Sequence, residues 1–143
     1  MDKISKEVRS RNMAAIRAKD TKPELFIRSL LHTSGYRYRL HKKDLPGKPD
    51  LYLKKYGAVI FVHGCFWHQH PNCKYAAVPK SNESFWHPKL RKNVGRDKQH
   101  LKELREMGYR VLTIWECEIK EARKTDSVLL FERIRDWLNE REG

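Results

Sequence analysis

The chain has 143 residues, 39% of them hydrophobic, which is enough for one compact domain with a core of its own. A formal charge of +13 and an isoelectric point near 9.8 favour a polyanionic partner, nucleic acid above all. No stretch approaches the roughly 18 consecutive apolar residues of a membrane span, and MDKISKEVRSRNM lacks the apolar run of a signal peptide, so a cytoplasmic location is expected.

Residues 1–20 form a basic, weakly amphipathic helix candidate, with Lys3, Lys6, Arg9, Arg11, Arg17 and Lys19 around a thin stripe of Ile4, Val8 and Ile16. Such a segment reads either as a solvated terminus or as an arm that orders on phosphates. Thr21-x-x-Glu24 is a capping box that starts a helix with Leu25, Phe26, Ile27, Leu30 and Leu31, stopped by Gly35. Strands are expected at 36–40 and 50–53, and 58–62 is a continuous apolar run suited to a buried central strand. A helix over 84–107, with Leu90, Val94, Leu101 and Leu104 in phase and Gly108 as its stop, leads to an apolar strand at 111–115. If this unit is a right-handed crossover, strands 58–62 and 111–115 run parallel and end at one edge of the sheet. A last helix follows a cap near Asp126, with Val128, Leu129, Phe131, Ile134, Trp137 and Leu138 as its apolar residues. Without repeats or linkers, 1–143 reads as a single α/β domain whose central mixed sheet is flanked by helices.

The segment HGCFWHQHPNC, His63 to Cys73, holds three of the seven histidines and two of the three cysteines. With Cys117 these make a Cys3His set, Cys65, His70, Cys73 and Cys117, suited to one tetrahedral zinc. The crossover supports it, because Cys65 and Cys117 sit just past the ends of two strands expected to be parallel. An odd cysteine count without an export signal reads as metal ligation, not a disulfide framework. His63 and His68 are then left for chemistry.

Asp97 falls on the apolar stripe of its helix, so it faces inward and needs a cation, an imidazole or a metal-bound water as partner. An internal salt bridge is the plainer alternative. Asp50, in LPGKPDLYL, stands at the entrance to a strand whose neighbour ends in the ligand-rich segment. That layout is the one used by PD-(D/E)xK nucleases, although the downstream (D/E)xK is absent here.

With these residues in view, the chain resembles the very short patch repair (Vsr) DNA mismatch endonucleases over nearly its whole length. RSRNMAAI, LPGKPD, VIFVHGCFWHQH, the Phe85-Trp86 pair, KNVGRD and GYRVLTIWEC carry the resemblance. It implies a PD-(D/E)xK-like core and Mg2+-dependent nicking of double-stranded DNA, 5′ to the thymine of a T:G mismatch left by deaminated 5-methylcytosine. It also implies that Asp50 binds Mg2+, helped by the main-chain carbonyl of Val62, that His63, His68 and Asp97 complete the hydrolytic site, and that the Cys3His set holds structural zinc.

The residue types suit that chemistry. In-line attack by water needs a cation against developing charge and a base for the water's proton. Histidine is a natural base, and a carboxylate on its other ring nitrogen fixes the tautomer, so His68 with Asp97 is the expected pair and His63 the expected contact to the scissile phosphate. The two histidines could exchange these roles. Phe66, Trp67 and Trp86 are candidate wedges between base steps, which a mismatch makes easier to separate, although Trp86 also suits ordinary core packing beneath its helix. Met13, Arg9, Arg11 and Arg17 belong to the expected DNA-clamping segment 1–20.

Two positions depart from the family pattern: Val62 replaces a threonine, and Pro71-Asn72 alters the spacing before Cys73, which leaves His68 as an alternative zinc ligand to His70. A non-catalytic, zinc-stiffened DNA-binding module is the rival from another class, but it leaves Asp50 and Asp97 without work. A zinc deaminase would need H-x-E with P-C-x-x-C, which is absent. A monomer is expected, with a mismatch-repair protein as a candidate partner.

Overall fold

The computed structural model describes residues 20–140. Met13, Arg9, Arg11 and Arg17, and with them the expected N-terminal arm, lie outside the described residues. Within them the chain folds as a four-stranded mixed sheet with helices on both faces.

Thr21 caps the first helix, α1 (Lys22–Thr33), by accepting the Glu24 N–H on its Oγ1 at 3.4 Å, and Pro23 sits in the first turn where its missing N–H costs nothing. Only this half of the expected capping box forms. The Glu24 carboxylate accepts from the Asp20 N–H at 3.3 Å instead of Thr21, because it is buried against Arg28 and His41. Gly35 stops the helix at φ +93°, a conformation that penalises any side chain.

The expected strand at 36–40 shortens to β1 (Arg39–Leu40), which pairs antiparallel with β2 (Leu51–Leu53). A 3-10 turn at Lys54–Tyr56 then leads into β3 (Ala58–His63), antiparallel to β2. The long helix α2 (Glu83–Glu106) crosses over to β4 (Arg110–Trp115), which runs parallel to β3 with His63 opposite Trp115. The two strands therefore end at one edge, as their order along the chain implied.

Period-two alternation divides the core. Ala58 and Ile60 join Ile27, Leu31, Ile119 and Ile134 on one face, so α1, α3 (Glu116–Lys124) and α4 (Ser127–Asn139) pack there. Val59 and Phe61 meet Leu45 and Leu104 on the other face, beneath α2. Asp126 caps α4 by accepting the Val128 N–H at 2.9 Å. No helix among the described residues is long and apolar enough to cross a membrane.

Arg110 closes the far end of this layer. Its guanidinium donates to the carbonyls of Trp137 at 2.7 Å and Leu138 at 2.9 Å and lies over the Trp137 ring at 4.6 Å, capping carbonyls at the end of α4. Arg110→Ala is expected to destabilise the fold by about 2 kcal/mol, and Arg110→Lys to recover less than half of that, since one ammonium cannot reproduce the planar fork. Urea melts check this, and a variant within error of the native protein would refute it.

Candidate active site and metal centre

Asp50 immediately precedes β2, and the antiparallel register sets it beside the C-terminal half of β3. Its Oδ2 accepts the Val62 N–H at 2.7 Å. Burial pushes its carboxyl up to about 8; the Val62 N–H works against that, while the nearby Glu24 carboxylate adds to it and Arg28 opposes. An acidic group so displaced holds its proton until something cationic arrives.

The loop leading to Asp50 is held close to α2 by Gly47, which has φ +75°. A Cβ there would lie 2.9 Å from His100 Nδ1, so only glycine allows this approach between the Asp50 loop and the helix that carries Asp97.

His63, at the end of β3, stacks on His68 with ring centroids 3.7 Å apart and planes 4° from parallel. His68 Nδ1 makes a 2.7 Å hydrogen bond with Asp97 Oδ2. Asp97 thus faces inward from α2 as its helical position required, and its partner is an imidazole, not a lysine or arginine. Burial, reinforced by His68, pushes His63 down to about 3 despite the opposing Asp97, so its ring is neutral at any working pH. All these groups except Arg28 line one cleft of about 1110 Å³, whose walls also carry Lys22, Lys43, Lys48 and Arg96.

Glu24 is the site residue that sequence reasoning missed. Its sequence position is that of a helix cap, yet it is 3% exposed, lines the cleft and lies against Asp50. A second buried carboxylate next to the first is a donor set for a hard divalent cation. The available signal was Glu24 in the first turn of a helix that had to dock beside the strand entered by Asp50.

Past the ends of β3 and β4, one ligand atom from each of Cys65, His70, Cys73 and Cys117 lies within 4.8 Å of the others. His70 Nδ1 is 3.7 Å from Cys65 Sγ and 3.4 Å from Cys117 Sγ. A tetrahedral zinc with ordinary Zn–S and Zn–N bonds would set such edges at about 3.6 Å, so the donors fit that ion in both type and spacing. His70 lies in this cluster, whereas His68 groups with His63 and Asp97. Trp115 stacks on His70 at 4.1 Å and fixes its ring. Burial raises the Cys65 thiol to about 12, so it becomes a thiolate only with a cation beside it.

Phe66 and Trp67, held between the ligands, meet Trp86 edge-on at 5.1 and 5.6 Å, and Phe85 joins at 5.0 Å from Trp86 while 57% exposed. Trp86 is therefore part of an aromatic cluster beside the cleft and not of either core. Lys89 Nζ stands within 5.9 Å of the Trp67, Phe85 and Trp86 ring centres.

A family model described as DNA mismatch endonuclease Vsr matches residues 1–75. The DNA mismatch endonuclease Vsr of Escherichia coli (strain K12) is 42% identical over 137 residues, 96% of this chain and 87% of its own length. The type II nicking enzyme V.XorIIP of Xanthomonas oryzae pv. oryzae is 46% identical over 120 residues, covering 84% of this chain and 88% of its own. The type II nicking enzyme V.NmeAIP of Neisseria meningitidis is 46% identical over 112 residues, 78% and 79% of the two lengths.

Proposed function

Because this chain belongs to the DNA mismatch endonuclease Vsr family and is a DNA endonuclease, we propose that it nicks one strand 5′ to the thymine of a T:G mismatch by Mg2+-assisted hydrolysis. The observation that carries this reading is the His68–Asp97 pair, bonded at 2.7 Å and stacked on His63, across one cleft from Asp50 and Glu24. The reading takes 1–143 as one domain on a PD-(D/E)xK-like core, with 1–20 clamping the duplex, working as a monomer in the bacterial cytoplasm.

Asp50 and Glu24, with the Val62 main-chain carbonyl, would hold Mg2+, which supplies charge neutralisation at the scissile phosphate. His68 Nε2 takes the proton of the attacking water while Asp97 holds Nδ1–H and supports the imidazolium that forms. His63, neutral and stacked on His68, contacts the phosphate as a hydrogen-bonding partner and keeps the His68 ring in plane. Phe66, Trp67 and Trp86 wedge between base steps at the mismatch, and Cys65, His70, Cys73 and Cys117 hold zinc that stiffens the loop presenting them.

The test is strand scission of a labelled duplex with one T:G mismatch beside matched T:A and C:G controls, in Mg2+ and in EDTA. Mg2+-dependent nicking confined to the thymine strand is expected. Equal cutting of the matched controls would overturn the mismatch specificity, and cutting in EDTA the metal requirement.

Within that reaction, His68→Ala is expected to slow single-turnover nicking by about 10²–10⁴-fold, and Asp97→Asn by roughly tenfold or more, with DNA affinity in EDTA unchanged. A native rate in His68→Ala would remove it as the base.

A further inference from the structure

Three donors converge on one oxygen of Glu24. Oε2 accepts from the Asp20 N–H at 3.3 Å, from Arg28 Nη2 at 2.6 Å and from His41 Nε2 at 2.9 Å, and Oε1 receives none of these bonds. A carboxylate oxygen offers about two lone-pair sites, so Oε2 is saturated before any cation arrives.

The two side-chain donors are themselves fixed. Arg28 Nη2 also binds Asp20 Oδ1 at 2.6 Å, and the Arg28 carbonyl accepts Tyr38 Oη–H at 3.0 Å, which ties the helix to the chain leading into β1. His41 follows β1, donates its main-chain N–H to the Asp50 carbonyl at 3.2 Å and adopts φ +45°. Left-handed backbone at a histidine costs free energy and persists where surrounding contacts enforce it. His41 therefore joins the two acidic residues directly, its ring on Glu24 and its backbone on Asp50.

We propose that Arg28 and His41 are positioning residues that hold Glu24 as a one-oxygen ligand beside Asp50, and that this tunes the centre to Mg2+ against Ca2+. The inference rests on the reading that Asp50 and Glu24 hold the divalent cation. Mg2+ takes six ligands in a tight octahedron and few carboxylate oxygens, whereas Ca2+ accepts six to eight and uses bidentate carboxylates readily. Blocking Oε2 denies Glu24 the bidentate mode and leaves Oε1 to the smaller ion. Outer partners of this kind orient a ligand without touching the metal.

The test uses the folded, zinc-loaded full chain without DNA. Binding of Mn2+ is followed by electron paramagnetic resonance, and Mg2+ and Ca2+ are titrated as competitors against native protein, Arg28→Ala, Arg28→Lys, His41→Ala, His41→Gln and Asp50→Ala. Arg28→Ala is expected to weaken Mg2+ by about tenfold while Ca2+ changes less than about threefold, with His41→Ala shifted the same way. His41→Gln, which retains a donor, stays near native, Arg28→Lys falls between, and DNA affinity in EDTA is unchanged in the Arg28 variants. Arg28→Lys and His41→Ala carry the test if Arg28→Ala does not fold. An unchanged Mg2+ to Ca2+ ratio in folded Arg28 and His41 variants would overturn this inference alone. Native protein with no Mn2+ binding that depends on Asp50 would overturn the metal reading and this inference with it.

Discussion

Asp50→Asn is expected to reduce nicking by at least about 10³-fold and to stabilise the metal-free protein at pH 8 by about 2 kcal/mol. The amide is isosteric, and its oxygen can still accept the Val62 N–H that Asp50 Oδ2 takes at 2.7 Å, so the loop should fold as before. What disappears is a buried charge beside a second carboxylate. The folded-state carboxyl keeps its proton up to about pH 8, whereas the unfolded chain releases it near 3.8. The folded state thus binds the additional proton, and metal-free stability is lost as pH rises from about 4 towards 8. Asparagine has no such dependence, so the advantage of the variant should be small at pH 4, grow through neutrality and shrink in the native protein's favour when Mg2+ is added. Urea melts at pH 5 and 8, in EDTA and in Mg2+, measure it. If the variant is less stable than native at pH 8 in EDTA, burial is not what displaces this group.

Much of this arrangement was legible in sequence because it rests on local signals that agree with one another. Gly35 and Gly108 both take positive φ where the apolar periodicity stops, and the strand–helix–strand order alone implied that β3 and β4 end together, which brought Cys65 near Cys117. Asp97 was readable because a carboxylate on an apolar stripe has few tolerable surroundings. The features missed depend on contacts between distant segments. Glu24 meets His41 and Asp50 only once α1 docks beside β1 and β2, and within its own helix it looks like a cap. Helix α3 buries only Ile119 and Ala122 among nine residues, too few to show a period. The expected strand 36–40 lost its first half because only Arg39 and Leu40 find partners on β2. Arg110 looks like any surface arginine until α4 returns to its side chain.

The second large effect is expected at Cys117, where, on the proposed zinc reading, Ser should abolish zinc binding, cost about 3 kcal/mol and slow nicking by more than about 10²-fold while leaving the sheet intact. Cys117 lies in the first turn of α3, two residues past the end of β4, and its main-chain N–H donates to Cys65 Sγ at 3.4 Å, so the cluster joins two adjacent strand ends to the loop that follows β3. That loop, 64–79, has little regular structure beyond a 3-10 turn at Lys74–Ala76 and a few internal bonds such as His70 N–H to the Cys65 carbonyl at 2.9 Å. Both core clusters lie elsewhere, so far-UV circular dichroism should change little when the zinc leaves. His68, Phe66 and Trp67 all ride on the loop, however, and an imidazole held 2.7 Å from Asp97 cannot stay in place on a slack segment. Limited proteolysis should therefore cut Cys117→Ser within 64–79 at a rate the native protein does not show, and chelation of native protein should reproduce the same cuts. Binding requires thiolates, and burial holds the Cys65 and Cys117 thiols in their protonated form, so zinc affinity should fall steeply as pH drops. A Cys117→Ser protein that retains one zinc and the native nicking rate would show that the four side chains converge for some other reason.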